Sequence, residues 1–304
     1  EAIDVTITDK AGGNNFAATG ITATNDSPTN DADDGYGNYC TWNPLDLGNV
    51  SLSNGNLTTS STNGSGHAIA KGTIPVSSGK WFYTAKLDSF GTNSFPAIGV
   101  MLMSENSTAS SNVVNAIFLR KDGNVAIAGS SQGSSGLGVL AAGGDVAVAF
   151  DVDTTTIWFG TISGGTITWD GDPAAGTDGW DWSGTFTGPV TPVAAHNIGG
   201  SGSNGWSADF GQYGFYQSVT PPTGFDQRLA TQNLPEPAII NPEEHFHSEV
   251  VTHNGTSTAS TCTFNLDTYE WLAIIKNTTG AVEKWYWIDT LSGVNKYWET
   301  PTAT

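Results

Sequence analysis

The stretch GGDVAVAFDVDTTTIWFG at 143–160 constrains the fold of this chain more than any other. Val146, Val148, Phe150 and Val152 alternate with small or polar residues, the period of two that lays one face of a β-strand against a core. The DVDTTT segment leaves room only for a tight reversal, and TIWFG returns as the second strand. A hairpin this apolar on one face needs another layer to cover it. The pattern recurs along the chain: KWFYTAKL places Trp81, Tyr83, Ala85 and Leu87 on one face with Phe82 and Thr84 opposite. Short runs such as YCTWNPLD, VSLSNGNLTTSS, GHAIAKGTIPV and FPAIGVML are separated by Gly, Asn, Pro and Ser, and KDGN at 121–124 suits a hairpin turn before VAIAG. With 38 glycines and only 10 Lys plus Arg and 2 Met, helix formers are scarce, so the expectation is an all-β sandwich or barrel.

The chain reads as four parts. Residues 1–38 mix Gly, Asn, Asp, Thr and Ala without sustained periodicity, an irregular arm with one short strand at Ile3–Ile7. Residues 39–220 carry the strand pattern, interrupted by a Gly-rich loop, SSQGSSGLGVLAAGGD, and by the acidic, Trp-bearing excursion TITWDGDPAAGTDGWDWSGTFTGPVTP. Residues 221–244 form a proline-rich strap or linker, because Pro221-Pro222 forbids a regular strand or helix. Residues 245–304 form a small C-terminal β module, complete or incomplete. A core of about sixty residues is marginal unless it packs on the first domain, another subunit or further sequence.

Charge excludes several partners. The formal net charge is −19, with 29 acidic residues against 10 basic ones spread along the chain. No stripe of cations can neutralise phosphates, so nucleic acid and anionic bilayers are repelled. No run approaches the 18 apolar residues of a membrane span, so no membrane insertion is expected. EAIDVTITDK has neither the basic segment nor the apolar core of a signal peptide, and the sequence leaves open whether the chain is part of something longer. Cys40 and Cys262 lie outside any CxxC or Cys/His pattern and read as lone small hydrophobes.

No GxSxG, HExxH or phosphate-binding glycine loop is present, and Asp151 and Asp153 read as turn caps rather than a glycosidase pair. His245 and His247 share a strand face with His253 nearby, but without a fixed third ligand they read as exposed polars. The expectation is a protein that is not an enzyme and has no organic cofactor. Calcium is the one ion considered, at two oxygen-rich loops: Asp31, Asp33 and Asp34 with Asn38, and Asp170, Asp172, Asp178 and Asp181. Neither matches an EF-hand. Trp169, Trp180, Trp182 and Trp206 either plug the end of the sandwich or form a ligand or partner platform.

The ordered segments GKWFYTAKL (79–87), FPAIGVML (95–102), GGDVAVAFDVDTTTIWFG and WSADFGQYGFY (206–216) resemble a SPRY domain over roughly 40–220. PPTGFDQRLATQNLPEP (221–237), HFHSEVVTHNG (245–255) and WLAIIKN (271–277) are similar to SPRY-containing virion proteins of tailed bacteriophages. His247, Ser248 and Val251 depart from the usual hydrophobic or aromatic pattern there, and 1–38 has no counterpart. The resemblance implies a SPRY/concanavalin A-like antiparallel β-sandwich with Trp81, Phe150 and Trp158 in or near the core, acting as a recognition scaffold without chemistry. It further implies a structural or adhesive component at the virion surface or an appendage, such as a tail fibre or capsid decoration. Its partners would be other virion proteins, copies of itself, or host-surface glycan or protein. A carbohydrate-binding receptor-recognition domain is the alternative; a glycan-degrading enzyme would need a carboxylate pair facing a groove. The uniform negative charge implies assembly that depends on salt or calcium.

Overall fold

A computed structural model describes residues 38–61, 68–92, 94–105, 115–196, 203–225, 227–235, 270–276, 285–292 and 296–299, with isolated positions at 6–7, 16–17, 246, 248 and 250. The chain divides into two compact units, Glu1–Leu234 and Pro235–Thr304, each described by itself.

In the first unit, β1 (Thr6–Ile7) pairs with β2 (Phe16–Ala17). The sandwich strands follow as β3 (Trp42–Gly48), β4 (Ser51–Ser53), β5 (Thr58–Ser61), β6 (Ala68–Gly72), β7 (Lys80–Ser89) and β8 (Ala97–Leu102). Next come β9 (Ala116–Arg120), β10 (Asn124–Ile127), β11 (Ser130–Ser134), β12 (Gly144–Asp151) and β13 (Thr156–Ser163). The last are β14 (Thr166–Trp169), β15 (Trp180–Asp181), β16 (Val190–His196), β17 (Asn204–Asp209) and β18 (Gln227–Arg228). One sheet runs β11-β10-β9-β8-β16-β6-β3 and the other β14-β13-β12-β7-β17-β5-β4, with β15 on β13 and β18 on β7. Every pairing is antiparallel except β18 on β7. The fold is an all-β antiparallel sandwich.

The two-residue period places the core. Trp81, Tyr83, Ala85 and Leu87 of β7 and Val146, Val148 and Phe150 of β12 face the opposite sheet in one cluster with Trp42, Ile98, Ile117, Phe159, Trp206 and Phe210. The alternate residues Phe82, Ala147, Ala149 and Trp158 pack in a second cluster under Phe215, Val219 and Phe225. This sheet is therefore buried on both faces, which makes β7 and β12 almost continuously apolar. Tyr83 Oη donates across the core to the Gly99 carbonyl at 2.7 Å. Gly99 has no room for a side chain, because a Cβ would run into the Ile117 carbonyl of β9. The reversal from β12 to β13 is capped as its sequence indicates: Asp151 Oδ1 accepts the Asp153 and Thr154 N–H groups at 3.0 and 3.3 Å.

The first part of the proline-rich segment belongs to the sandwich rather than to a linker. Residues 227–228 add a parallel strand to Trp81–Phe82, Cys40 N donates to Leu229 O at 2.7 Å, and Thr231 N donates to Asn38 O at 3.0 Å. Phe225, Leu229 and Ala230 are the apolar anchors, all buried, with Phe225 edge-on to Trp158. Pro221 and Pro222 precede this short strand and do not keep the segment off the core.

In the second unit, β19 (Leu272–Lys276), β20 (Trp285–Asp289) and β21 (Trp298–Glu299) form a three-stranded antiparallel sheet.

Candidate interaction surface

The excursion between β14 and β16 folds beside the β12–β13 turn. Its base is Asp170, whose Oδ1 accepts the Phe159 N–H at 2.9 Å and whose Oδ2 accepts the Trp180 indole N–H at 2.7 Å. Burial pushes the Asp170 carboxyl up to about 6, against the lowering effect of these two bonds. Asp172 and Thr177 exchange backbone hydrogen bonds at 3.0 Å, and Asp172 Oδ1 caps the Ala175 N–H at 3.0 Å. The Trp158 indole holds the far side by donating to Thr177 O at 2.8 Å. Gly179 lies so close to that ring that a Cβ would sit 2.5 Å from it. Asp181 accepts Ser183 N, Ser183 Oγ and Thr155 Oγ1 at 2.7, 2.9 and 3.0 Å, which holds its carboxyl below the usual range, the Ser183 N–H contributing most. Trp182 N donates to Thr155 O at 3.0 Å and closes the loop onto the turn.

The outcome is a well-bonded surface with exposed carboxylates at Asp153, Asp172, Asp178 and Asp181 and partly exposed indoles at Trp169 and Trp180. None of those four carboxylates has an ion pair among the described residues.

Of the four tryptophans read as an end plug or a platform, two are buried and so no part of an exposed platform. Trp182 is 2% exposed and stacks on Phe186 at 5.9 Å, and Trp206 is 0% exposed between the sheets. The placement of Trp206 was written in its strand, where Trp206, Ala208 and Phe210 alternate inward. The placement of Trp182 depends on Phe186, a contact no period announces. Trp81 and Phe150 lie in the inter-sheet core and Trp158 beneath the 215–225 segment.

Asp170, Asp172 and Asp181 are each turned to separate hydrogen-bond donors, and no group of three or more His, Cys, Asp or Glu side chains comes together among the described residues. Asp31, Asp33, Asp34, His245, His247, His253 and Cys262 lie outside the described residues. Cys40 is a buried free thiol, pushed up to about 11 by burial.

Two buried groups carried no sequence signal. Lys71, 1% exposed, pairs with Asp46 at 2.5 Å and donates to the Met103 and Glu105 carbonyls at 3.0 and 2.6 Å. His196, at the end of β16, is fully buried with neither ring nitrogen hydrogen-bonded among the described residues. Burial lowers it to about 4.

No family model and no curated protein sequence matches the chain. Solved structures similar to it include the SPRY domain of human HERC1, at 14% identity and a TM-score of 0.43 over 55% of this chain and 96% of that one. The TRIM65 PSpry domain aligns at 12% identity and a TM-score of 0.40 over 56% of this chain and 92% of that one. Stonustoxin aligns at 14% identity and a TM-score of 0.40 over 56% of this chain and 27% of that one. The sandwich assignment rests on the sheet order and register described above.

Proposed function

We propose that the sandwich is a non-catalytic interaction domain that presents the 151–156 turn and the 169–182 loop to a protein partner. The supporting observation is the set of four exposed carboxylates at Asp153, Asp172, Asp178 and Asp181, without ion pairs among the described residues, beside the half-buried Trp180 indole that Asp170 holds. Such a surface suits a partner that brings Lys or Arg to the carboxylates and an apolar group to Trp180. The sequence likeness to tailed-phage virion proteins supports the finer reading: a structural or adhesive component at the virion surface or on an appendage, contacting other virion proteins or the host surface. Glycan recognition is weakened by the burial of Trp182 and Trp206, which leaves a small stacking area. Immunogold labelling of intact particles of the encoding phage, with antibodies raised against the sandwich, tests the virion role. Label on the particle surface is the expected result, and absence of the chain from purified particles would reject it.

A further inference from the structure

The register of the C-terminal sheet gathers its apolar residues on one face. Leu272 lies opposite Asp289, Ile274 opposite Trp287, Lys276 opposite Trp285, and Trp298 opposite Trp287 on the other side, so all seven side chains share that face. Leu272, Ile274, Trp285, Trp287 and Trp298 are 58, 50, 42, 40 and 68% exposed. The reverse face is better covered, with Ala273, Tyr286 and Ile288 half-buried, although Ile275 is exposed. A three-stranded sheet needs one hydrophobic face buried to stand in water.

We infer that this face is the contact between two copies of the chain, independently of the role proposed for the sandwich. Area and charge both support a second copy. With roughly 250 Å² for a Trp and somewhat less for Leu or Ile, those exposures leave about 600 Å² of apolar surface per copy, or about 1,200 Å² for a pair, the lower bound of a stable interface. In a chain of net charge −19, this face carries one cation, Lys276, and one anion, Asp289, within the three strands. They occupy diagonal corners about 14 Å apart by strand geometry. Two faces packed in the near-aligned manner about a two-fold axis perpendicular to that diagonal set the Lys276 corner of each copy over the Asp289 corner of the other, the reciprocal pairing an isologous contact requires. Lys276 Nζ lies 4.9 Å from the Trp285 ring centroid, and Asp289 keeps its carboxylate at the surface while capping Leu291 and Ser292.

Sedimentation velocity on the full chain, from about 1 to about 100 µM, tests this. The wild type is expected at twice the chain mass, with Trp287→Lys monomeric and unchanged in circular dichroism. Lys276→Asp and Asp289→Lys should each weaken self-association about tenfold or more, and an equimolar mixture of the two should restore it, because only the mixed pair carries opposite charges at both contacts. A wild type monomeric throughout the range, or a dimer indifferent to Trp287→Lys and Lys276→Asp, would overturn the inference. So would a monomer whose Trp emission responds to a soluble β-glucan, which would make a glycan the occupant.

Discussion

Trp180 Nε1 donates to Asp170 Oδ2 at 2.7 Å while Asp170 Oδ1 takes the Phe159 N–H at 2.9 Å, so one carboxylate joins the exposed loop to β13. Its proton affinity is raised, to about 6, because it is buried away from water. The native state therefore binds a proton more tightly than the unfolded chain, and this group adds stability as pH falls from above 6 toward 3.8. Melting temperatures of wild type and Asp170→Asn across that range should show the wild type gaining on the variant on acidification. A pH-independent difference would contradict the placement of Asp170.

His196 works in the opposite direction over nearly the same range. Its folded value of about 4 lies below the ordinary 6.5, so the unfolded chain takes up the proton first and stability falls as pH drops from 6.5 toward 4. The full span corresponds to about 3 kcal/mol. His196→Leu removes a buried imidazole that lies beside the Asn204 backbone, and should lose less stability than the wild type between pH 7 and pH 4.5 in urea titrations. Equal acid losses in both proteins would refute this.

Trp42 and Trp206 are both fully buried, but the Trp42 indole donates to Leu57 O at 3.0 Å whereas the Trp206 indole N–H has no partner among the described residues. Phe at either position leaves a similar small void. Only at Trp42 does it remove a hydrogen bond, while at Trp206 it removes a buried N–H that has no partner among the described residues; Leu57 O keeps the Ala208 N–H at 2.9 Å. Trp42→Phe should therefore cost at least about 1 kcal/mol more than Trp206→Phe in denaturant unfolding. Equal costs would place Trp206 in a different environment.

Gly179 admits no Cβ against Trp158 and Thr156. Gly179→Ala should lift the loop and destabilise the first unit by about 1–3 kcal/mol, detectable as a lower melting temperature. An unchanged melting temperature would mean that the loop does not pack on Trp158 in solution.

The parts of this fold legible in sequence are those set by neighbours along the chain. The alternation in 81–87 and 146–152 assigns Trp81, Tyr83 and Phe150 to one face, and DVDTTT announces the capped turn, because both follow from a period of two and a local side-chain to backbone bond. The second core was harder to read. Alternation puts Phe82 on the face turned away from the inter-sheet core, and only the return of Phe225, more than sixty residues beyond Trp158, shows that this face is covered as well. Trp182 and Trp180 are separated by one Asp, yet one is core and the other surface, a distinction drawn by Phe186 and Asp170. His196 and Lys71 gave no warning at all, since burial of a lone titratable residue is decided wholly by tertiary packing.

Amide hydrogen exchange of the full chain, free and within the purified assembled particle, tests the proposed interaction surface most directly. New protection centred on 151–156 and 169–182, reduced by Trp180→Ala and by Asp172→Lys in a chain that still folds, is the predicted result. Protection confined to other surfaces, with these two segments exchanging as they do in the free protein, would contradict it.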